Sequence, residues 1–397
     1  MPKFERTELA YNPEIIDSLL SARSLSLHGL SERLGLNANA LANELAREPE
    51  PRQGLLNNIA KEFSLPPFVF YMASPPELND VLPDFRSEKP TIHSQDATTT
   101  RSIQLARSIQ QTMAQLNVSA VQKLPNFDAA TKSEIEVFAL EVRSYFDITL
   151  ADQIECDDAR VFYNLCRRKI EDRGIFVIHG SFDEGDGSGF CLADSPHPVI
   201  FINTRKQTRG RRLFTLIHEL AHVLMGQSGL SDPFVRKNTI ETRCNWFAAA
   251  FLVPREYVPK LLANVSLDSD ASPKEVARAS RRLKISQQAT VLRLEELGYF
   301  DSGSHDKWLN IIHNSGNPDF AKEGGGGKEP PPQEKVKLAK YGFRLARVFG
   351  ELLDRGDVSE ISIYRASGLK PKYQRAYFEY ANSLAESDLH SLELGDG

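Results

Sequence analysis

Four cysteines in 397 residues are too few for a disulfide scaffold, and positions 156, 166, 191 and 244 fit no paired zinc knuckle. A reducing compartment suits them, and the cytoplasm is the expected location. No apolar run approaches the length needed to cross a bilayer, so no membrane partner is expected. The opening segment, MPKFERTELAYNPE, lacks an apolar h-region, so export by a signal peptide is not expected. Positive charge is not in excess either. The 48 Lys and Arg against 53 Asp and Glu leave a net charge of −5. The chain as a whole therefore has no electrostatic reason to bind nucleic acid non-specifically. The length allows two or three domains.

One motif stands out against this ordinary background. Leu213 to Met225 is an apolar stretch at helical spacing that carries His218, Glu219 and His222. Histidines at i and i+4 leave one helix face a turn apart, so two imidazole nitrogens can reach one small divalent ion. Glu219 sits about 100° around the helix from His218. There a carboxylate can take a proton from water held at the metal. The His-Glu-x-x-His pattern arises by chance in a chain this long on the order of once in a hundred. The competing reading is a buried helix whose histidines find backbone partners. Three features weigh against it: the apolar surroundings make the set costly without partners, Gly226 ends the helix, and a third donor follows.

That donor is Glu241. It opens an Ala-rich run closed by Pro254, which reads as a second helix. Two histidines and a glutamate leave a fourth position open, which is the catalytic arrangement for zinc. Zinc is the default ion, and manganese fits the same set. Asn245, one turn beyond Glu241, is a candidate to orient a ligand or hold substrate; a plain polar helix residue is the alternative. Cys244 is read as a buried thiol on another face.

FTLIHELAHVLMG followed by IETRCNWFAAAFLVP resembles the ImmA/IrrE metallopeptidases, whose usual pattern is His-Glu-x-x-His and then Glu-x-x-Ala-Asn-x-Phe-Ala. Cys244 stands where that family usually has Ala. PPELNDVLPDFRS and the C-terminal stretch resemble the family's long forms, in which a helix-turn-helix module precedes the protease. The resemblance implies a cytoplasmic endopeptidase that cuts an Xre-type helix-turn-helix repressor and so derepresses phage, mobile-element or stress-response genes. It carries metal binding to His218, His222 and Glu241, and the catalytic role to Glu219. The rival reading is a regulator that binds DNA or a repressor without cutting it, in a toxin–antitoxin or phage-defence pair.

The expected fold class is α+β: mainly helical, with a zincin-like core, an N-terminal helix-turn-helix module and a C-terminal helical appendage. The expected divisions are 1–75, 76–315 for the peptidase with its connector helices, 316–334 as linker and 335–397 as C-terminal region. In the first, NANALANELARE occupies the place of a recognition helix, so Asn37, Asn39, Asn43 and Arg47 are candidate DNA or partner contacts. Glu44 and Glu48 would repel phosphate, and docking or dimerisation is the competing role. GIFVIHGSF, GFCLAD and PVIFIN read as three strands ahead of the metal helix, and an edge among them could pair with an extended substrate. His179 and His197 are expected at the surface. The basic run Arg205, Lys206, Arg209, Arg211 and Arg212 reads as a solvated turn. GGGGKEPPPQEK cannot bury a core and marks the linker. Beyond it, Leu338, Tyr341, Leu345, Val348, Phe349 and Leu352 share one helix face. The oligomeric state is not legible.

Overall fold

The computed structural model describes residues 9–22, 25–63, 65–72, 74–75, 82, 96–182, 185, 187–205, 207–231, 239–263, 265, 272–315 and 330–384. Most of the PPELNDVLPDFRS segment and residues 316–329 of the expected linker lie outside them.

The chain opens with four short helices, α1 (Glu14–Ala22), α2 (Leu27–Leu34), α3 (Ala38–Leu45) and α4 (Gln53–Glu62), and a 3₁₀ turn at Pro67–Tyr71. Then come α5 (Ala97–Gln115), α6 (Lys132–Tyr145), α7 (Leu150–Glu155) and α8 (Ala159–Asp172). Strands β1 (Phe176–Gly180), β2 (Gly189–Leu192) and β3 (Val199–Asn203) precede α9 (Arg209–Leu224). β4 (Gly229–Ser231) leads to α10 (Thr239–Leu252), a 3₁₀ turn at Arg255–Tyr257 and α11 (Val258–Leu261). Next are α12 (Pro273–Leu283), α13 (Gln287–Glu296) and α14 (Ser304–Ser315). The C-terminal region forms α15 (Gln333–Arg355), α16 (Glu360–Ser367) and α17 (Pro371–Ser383). The architecture is α+β, mainly helical around one small mixed sheet.

The sheet order is β1-β3-β2-β4, with β1 parallel to β3 and the other pairs antiparallel. β4 was not among the expected strands. Successive residues face opposite sides of a strand, and both sides here are apolar. Phe176, Ile178, Phe190, Leu192, Val199 and Phe201 join one core, whereas Val177, Cys191, Ile200 and Ile202 join the other. The sheet is therefore covered on both faces, which explains strands that read as unbroken apolar runs rather than alternating ones. Phe190 and Phe201, paired across β2 and β3, stack with centroids 4.8 Å apart.

Helices α6 to α14 build the inner core, and α9 packs on β2 and β3 within it. The outer core joins α5, the N-terminal helices and the C-terminal helices. The C-terminal unit, expected as an appendage, is the cover of the outer sheet face. α15 lies on β1 and α8, and α16 packs on α5 and the 3₁₀ turn at Pro67–Tyr71. Its face is as read from sequence: Leu338, Tyr341, Leu345 and Phe349 are buried. Arg365 ties this unit to the N-terminal module. It donates to Leu9 O at 2.7 Å, pairs with Glu50 and lies 4.3 Å over the Tyr71 ring.

A fully buried ion pair, Arg167 with Glu171 on α8, fixes α15 in place. Arg167 donates to Val177 O of β1 and to Ala339 O of α15, the latter at 2.7 Å. Glu171 accepts from Phe343 N at 2.8 Å. Burial pushes the Glu171 carboxyl up, and Arg167 and the backbone N–H groups of Phe343 and Val177 pull it back. α15 breaks at Gly342 (φ 78°, ψ −176°) to present the Phe343 N–H. This backbone region is essentially confined to glycine, and a Cβ there would strike Glu171 Oε1. Gly342→Ala is expected to lower stability in urea by about 2 kcal/mol or more. A loss within a few tenths would show that the kink does not need glycine.

Among the described residues, no helix is long and apolar enough to cross a membrane.

In the N-terminal module, Leu30, Leu41 and Leu56 bring α2, α3 and α4 onto one core. Asn37 is exposed. It is the N-cap of α3, its Oδ1 accepting from Asn39 N at 2.9 Å and Ala40 N at 3.3 Å. Arg47 pairs with Glu44 at 3.3 Å, and Arg52 shares the same carboxylate. Asn39 and Asn43, one turn apart on α3, are exposed.

Candidate metal centre

α9 is capped by Thr208, whose side chain accepts from Arg211 N at 3.3 Å. Gly226 ends it in the left-handed conformation (φ 67°), and Gln227 N returns to His222 O at 3.0 Å. Between these caps the helix buries His218, Glu219 and His222 completely or nearly so. α10 crosses it and brings Glu241, also fully buried, to the same point.

The donor atoms converge. His222 Nε2 lies 3.2 Å from His218 Nε2 and 3.0 Å from Glu241 Oε1. His218 Nε2 lies 3.1 Å from Glu241 Oε2. His218 Nδ1 stands 3.0 Å from Asn245 Oδ1, so in the neutral ring Nδ1 carries the hydrogen and Nε2 keeps its lone pair. A neutral His218 thus turns its Nε2 lone pair toward His222 and the Glu241 carboxylate, an arrangement that suits a cation among the three side chains. Ligands bound tetrahedrally at zinc distances stand about 3.3 Å apart, close to the triangle observed. The chemistry of the donor set and its size thus fit a small divalent ion.

Burial alone would raise the Glu241 carboxyl, but His218 and His222 beside it hold it at about 2. The glutamate is therefore ionised across the neutral range, as a metal ligand must be.

Cys244 is nearer than its sequence position suggested. Its Sγ lies with the His218 and His222 nitrogens in a group whose atoms are all within 4.8 Å of one another. Burial, then the charges of Glu241 and Glu219, push this thiol well up, and Cys191 on β2 is likewise raised. Both stay protonated beside the ionised Glu241, which forms the tighter set with the histidines. All four cysteines are free and buried.

Two residues at the site were invisible in the sequence. Ser231 of β4 donates its hydroxyl to Glu219 Oε1. Gly189 of β2 leaves the space Glu219 occupies, since a Cβ there would lie 2.8 Å from Oε1 and 3.0 Å from Phe201 O. Only the structure pairs these strand residues with the helix. A serine in a short turn-rich strand carries no pattern of its own.

The far end of α10 is held as firmly as the near end. Pro254 stops the helix, leaving its last carbonyls without intrahelical partners. Phe251 O accepts from Arg143 at 2.8 Å, Leu252 O from Gln153 at 2.9 Å and Val253 O from Arg293 at 2.9 Å. Three consecutive carbonyls are thus capped from α6, α7 and α13. Arg143 is almost wholly buried and also packs on the rings of Phe162, Phe251 and Tyr257.

The remaining sequence candidates lie elsewhere. His179 and His197 are buried rather than at the surface, because the strand and loop carrying them are covered. His179 bonds the Tyr163 hydroxyl, and burial followed by Arg167 and Arg212 lowers its pKa well below the usual histidine value. The basic run is not a solvated turn: Arg211 donates to Ser188 Oγ at 3.3 Å and Arg212 to Thr204 O at 3.2 Å. Lys206 lies outside the described residues. Asn37, Asn39, Asn43 and Arg47 belong to the N-terminal module, separate from this site.

Asn245→Ala removes the acceptor that fixes the His218 ring. Metal affinity, read by competition with a chromogenic chelator, should fall roughly 10–100-fold. Unchanged affinity would mean that the asparagine does not set the tautomer.

Residues 170–295 match the peptidase family described as the IrrE N-terminal-like domain. The radiation response metalloprotease IrrE of Deinococcus deserti is 33% identical over 131 residues, which cover 31% of this chain and 43% of that protein. The match thus spans less than half of that relative. No solved structure matches the chain.

Proposed function

We propose that the chain, whose residues 170–295 match the IrrE N-terminal-like domain, is an ImmA/IrrE-type metal-dependent endopeptidase that cuts a helix-turn-helix repressor. The observation that carries the peptidase reading is the convergence of His218, His222 and Glu241 within 3.0–3.2 Å, with Glu219 beside them on the same helix. We assign metal binding to those three residues and zinc as the ion, with manganese an alternative for the same donors. When bound, a divalent ion would supply Lewis-acid polarisation of a peptide carbonyl and of water.

The chain's own residues do the rest. Ser231 holds Glu219 by Oε1. The carboxylate then takes the proton of the attacking water and passes it to the leaving amine, as a general base and then a general acid. Asn245 keeps the His218 ring turned so that Nε2 faces inward. Burial keeps competing water from these groups. A purely structural site has no need of Glu219, which argues against a regulator that never cuts.

The repressor as substrate rests on the family resemblance. A chain that carries its own four-helix N-terminal module of repressor-like order is consistent with acting on that class of protein. We place the activity in the cytoplasm, where such regulators work.

Purified protein incubated with the helix-turn-helix repressor encoded beside its gene should give one or a few discrete fragments. Chelator should abolish the cut and added zinc or manganese restore it. Glu219→Gln should keep stoichiometric metal and lose cleavage by about 10²-fold or more. Cleavage retained by that variant would refute the mechanism.

A further inference from the structure

We propose that the cavity beside the metal centre is the subsite that receives an uncharged, apolar segment of the polypeptide substrate. This rests on the peptidase reading above.

The cavity holds about 980 Å³ between α9, α10 and the α12–α13 pair. That is at the upper end of the roughly 300–1,000 Å³ typical of ligand pockets. Its walls follow from helical register. On α10, Thr242, Trp246 and Ala249 form one stripe at i, i+4 and i+7, starting next to Glu241. On α9, Gly210 and Phe214 line the cavity, and His218 is the next residue of the same stripe. Asn245 joins the two regions, since it lines the cavity and bonds His218 Nδ1 at 3.0 Å. A chain lying in the cavity would thus touch the residue that is bonded to His218.

Trp246 and Phe214, with Ala249 between the walls and Leu292 facing them from α13, offer an apolar surface that the fold leaves only half-buried. The charged groups around them already have partners, Arg211 on Ser188 Oγ among them. Lys132 pairs with Glu296 at 2.7 Å and lies 4.9 Å over the Trp246 ring. Arg293 is taken by Val253 O, Glu136 and Glu296. Glu295 accepts from Gly303 N and His305 N at the start of α14. Recognition by charge would have to break these pairs, so the surface favours an apolar occupant over an ionic one.

Trp246 is also the reporter. The chain has two tryptophans, and Trp308 is buried away from the cavity. Zinc-loaded Glu219→Gln/Trp308→Phe protein would be titrated with blocked peptides that differ at one central residue: Leu or Phe, against Asp or Lys. Leu and Phe peptides should shift Trp246 emission and bind about tenfold or more tighter than the charged pair. Ala249→Trp fills the cavity, and Leu292→Gln makes its facing wall polar. Each should cut the apolar preference by a similar factor while metal content stays at one ion per chain, which also reports that the fold is intact. Equal binding of charged and apolar peptides, or an apolar preference unaltered in both variants, would overturn the assignment. Cleavage by the wild-type active site is run in parallel. Cleavage with no such preference sinks the subsite alone. Preference without cleavage by any variant keeps the subsite and sinks the peptidase reading.

Discussion

Two imidazoles and a carboxylate have to be held within 3.2 Å of one another in a dry interior, and much of the fold is arranged to do it. Two histidines and a carboxylate with no exposure gain nothing from water, so their positions depend wholly on the crossing of α9 and α10. α9 is fixed by caps at both ends and by the sheet beneath it. α10 is fixed at its far end by Arg143, Gln153 and Arg293, each taking one carbonyl. An unpaired buried carbonyl costs about 1–3 kcal/mol, so the helix cannot slide along its axis without losing several such bonds at once. Rigid crossing helices are the usual platform for a site that must hold its geometry before its ion arrives.

The sheet serves the same end from the other side. Its inner face supports α9, and its edge strand β4 carries Ser231 to Glu219. Gly189 of the neighbouring strand provides the gap. The Glu219 carboxylate is thus set by the sheet, whereas His218, His222 and Glu241 are set by the helix pair.

What the sequence disclosed divides along physical lines. Spacing of four on an apolar helix has one geometric meaning, so His218, His222 and the flanking Glu219 were legible together. Glu241 was legible because Pro254 and the Ala-rich run define a returning helix, with the family motif placing the donor on it. The face of α15 was legible from its period, but not what it would cover. Both sheet faces were equally apolar, so pattern alone did not say that a helix far along the chain closes one of them. β4 has three residues with Gly and Ser, too short to alternate. Asn37 was named as a candidate DNA or partner contact, and the structure adds that its Oδ1 caps α3, a role the sequence did not single out. His179 and His197 were expected at the surface on the habits of histidine, whereas their strand and loop lie under α8 and α15. Cys244 was assigned to another face of α10, yet the tightness of the site brings its sulfur near the histidines.

The cover of the outer sheet face also sets an order in time. Residues 333–383 are synthesised after every other element described, yet α15 and α16 touch β1, α5 and the turn at Pro67–Tyr71. Until they emerge from the ribosome, Phe176, Ile178, Phe190 and Phe201 have no lid, and the N-terminal module lacks the Arg365 clamp. A nascent chain would carry its metal donors early and its finished outer core last.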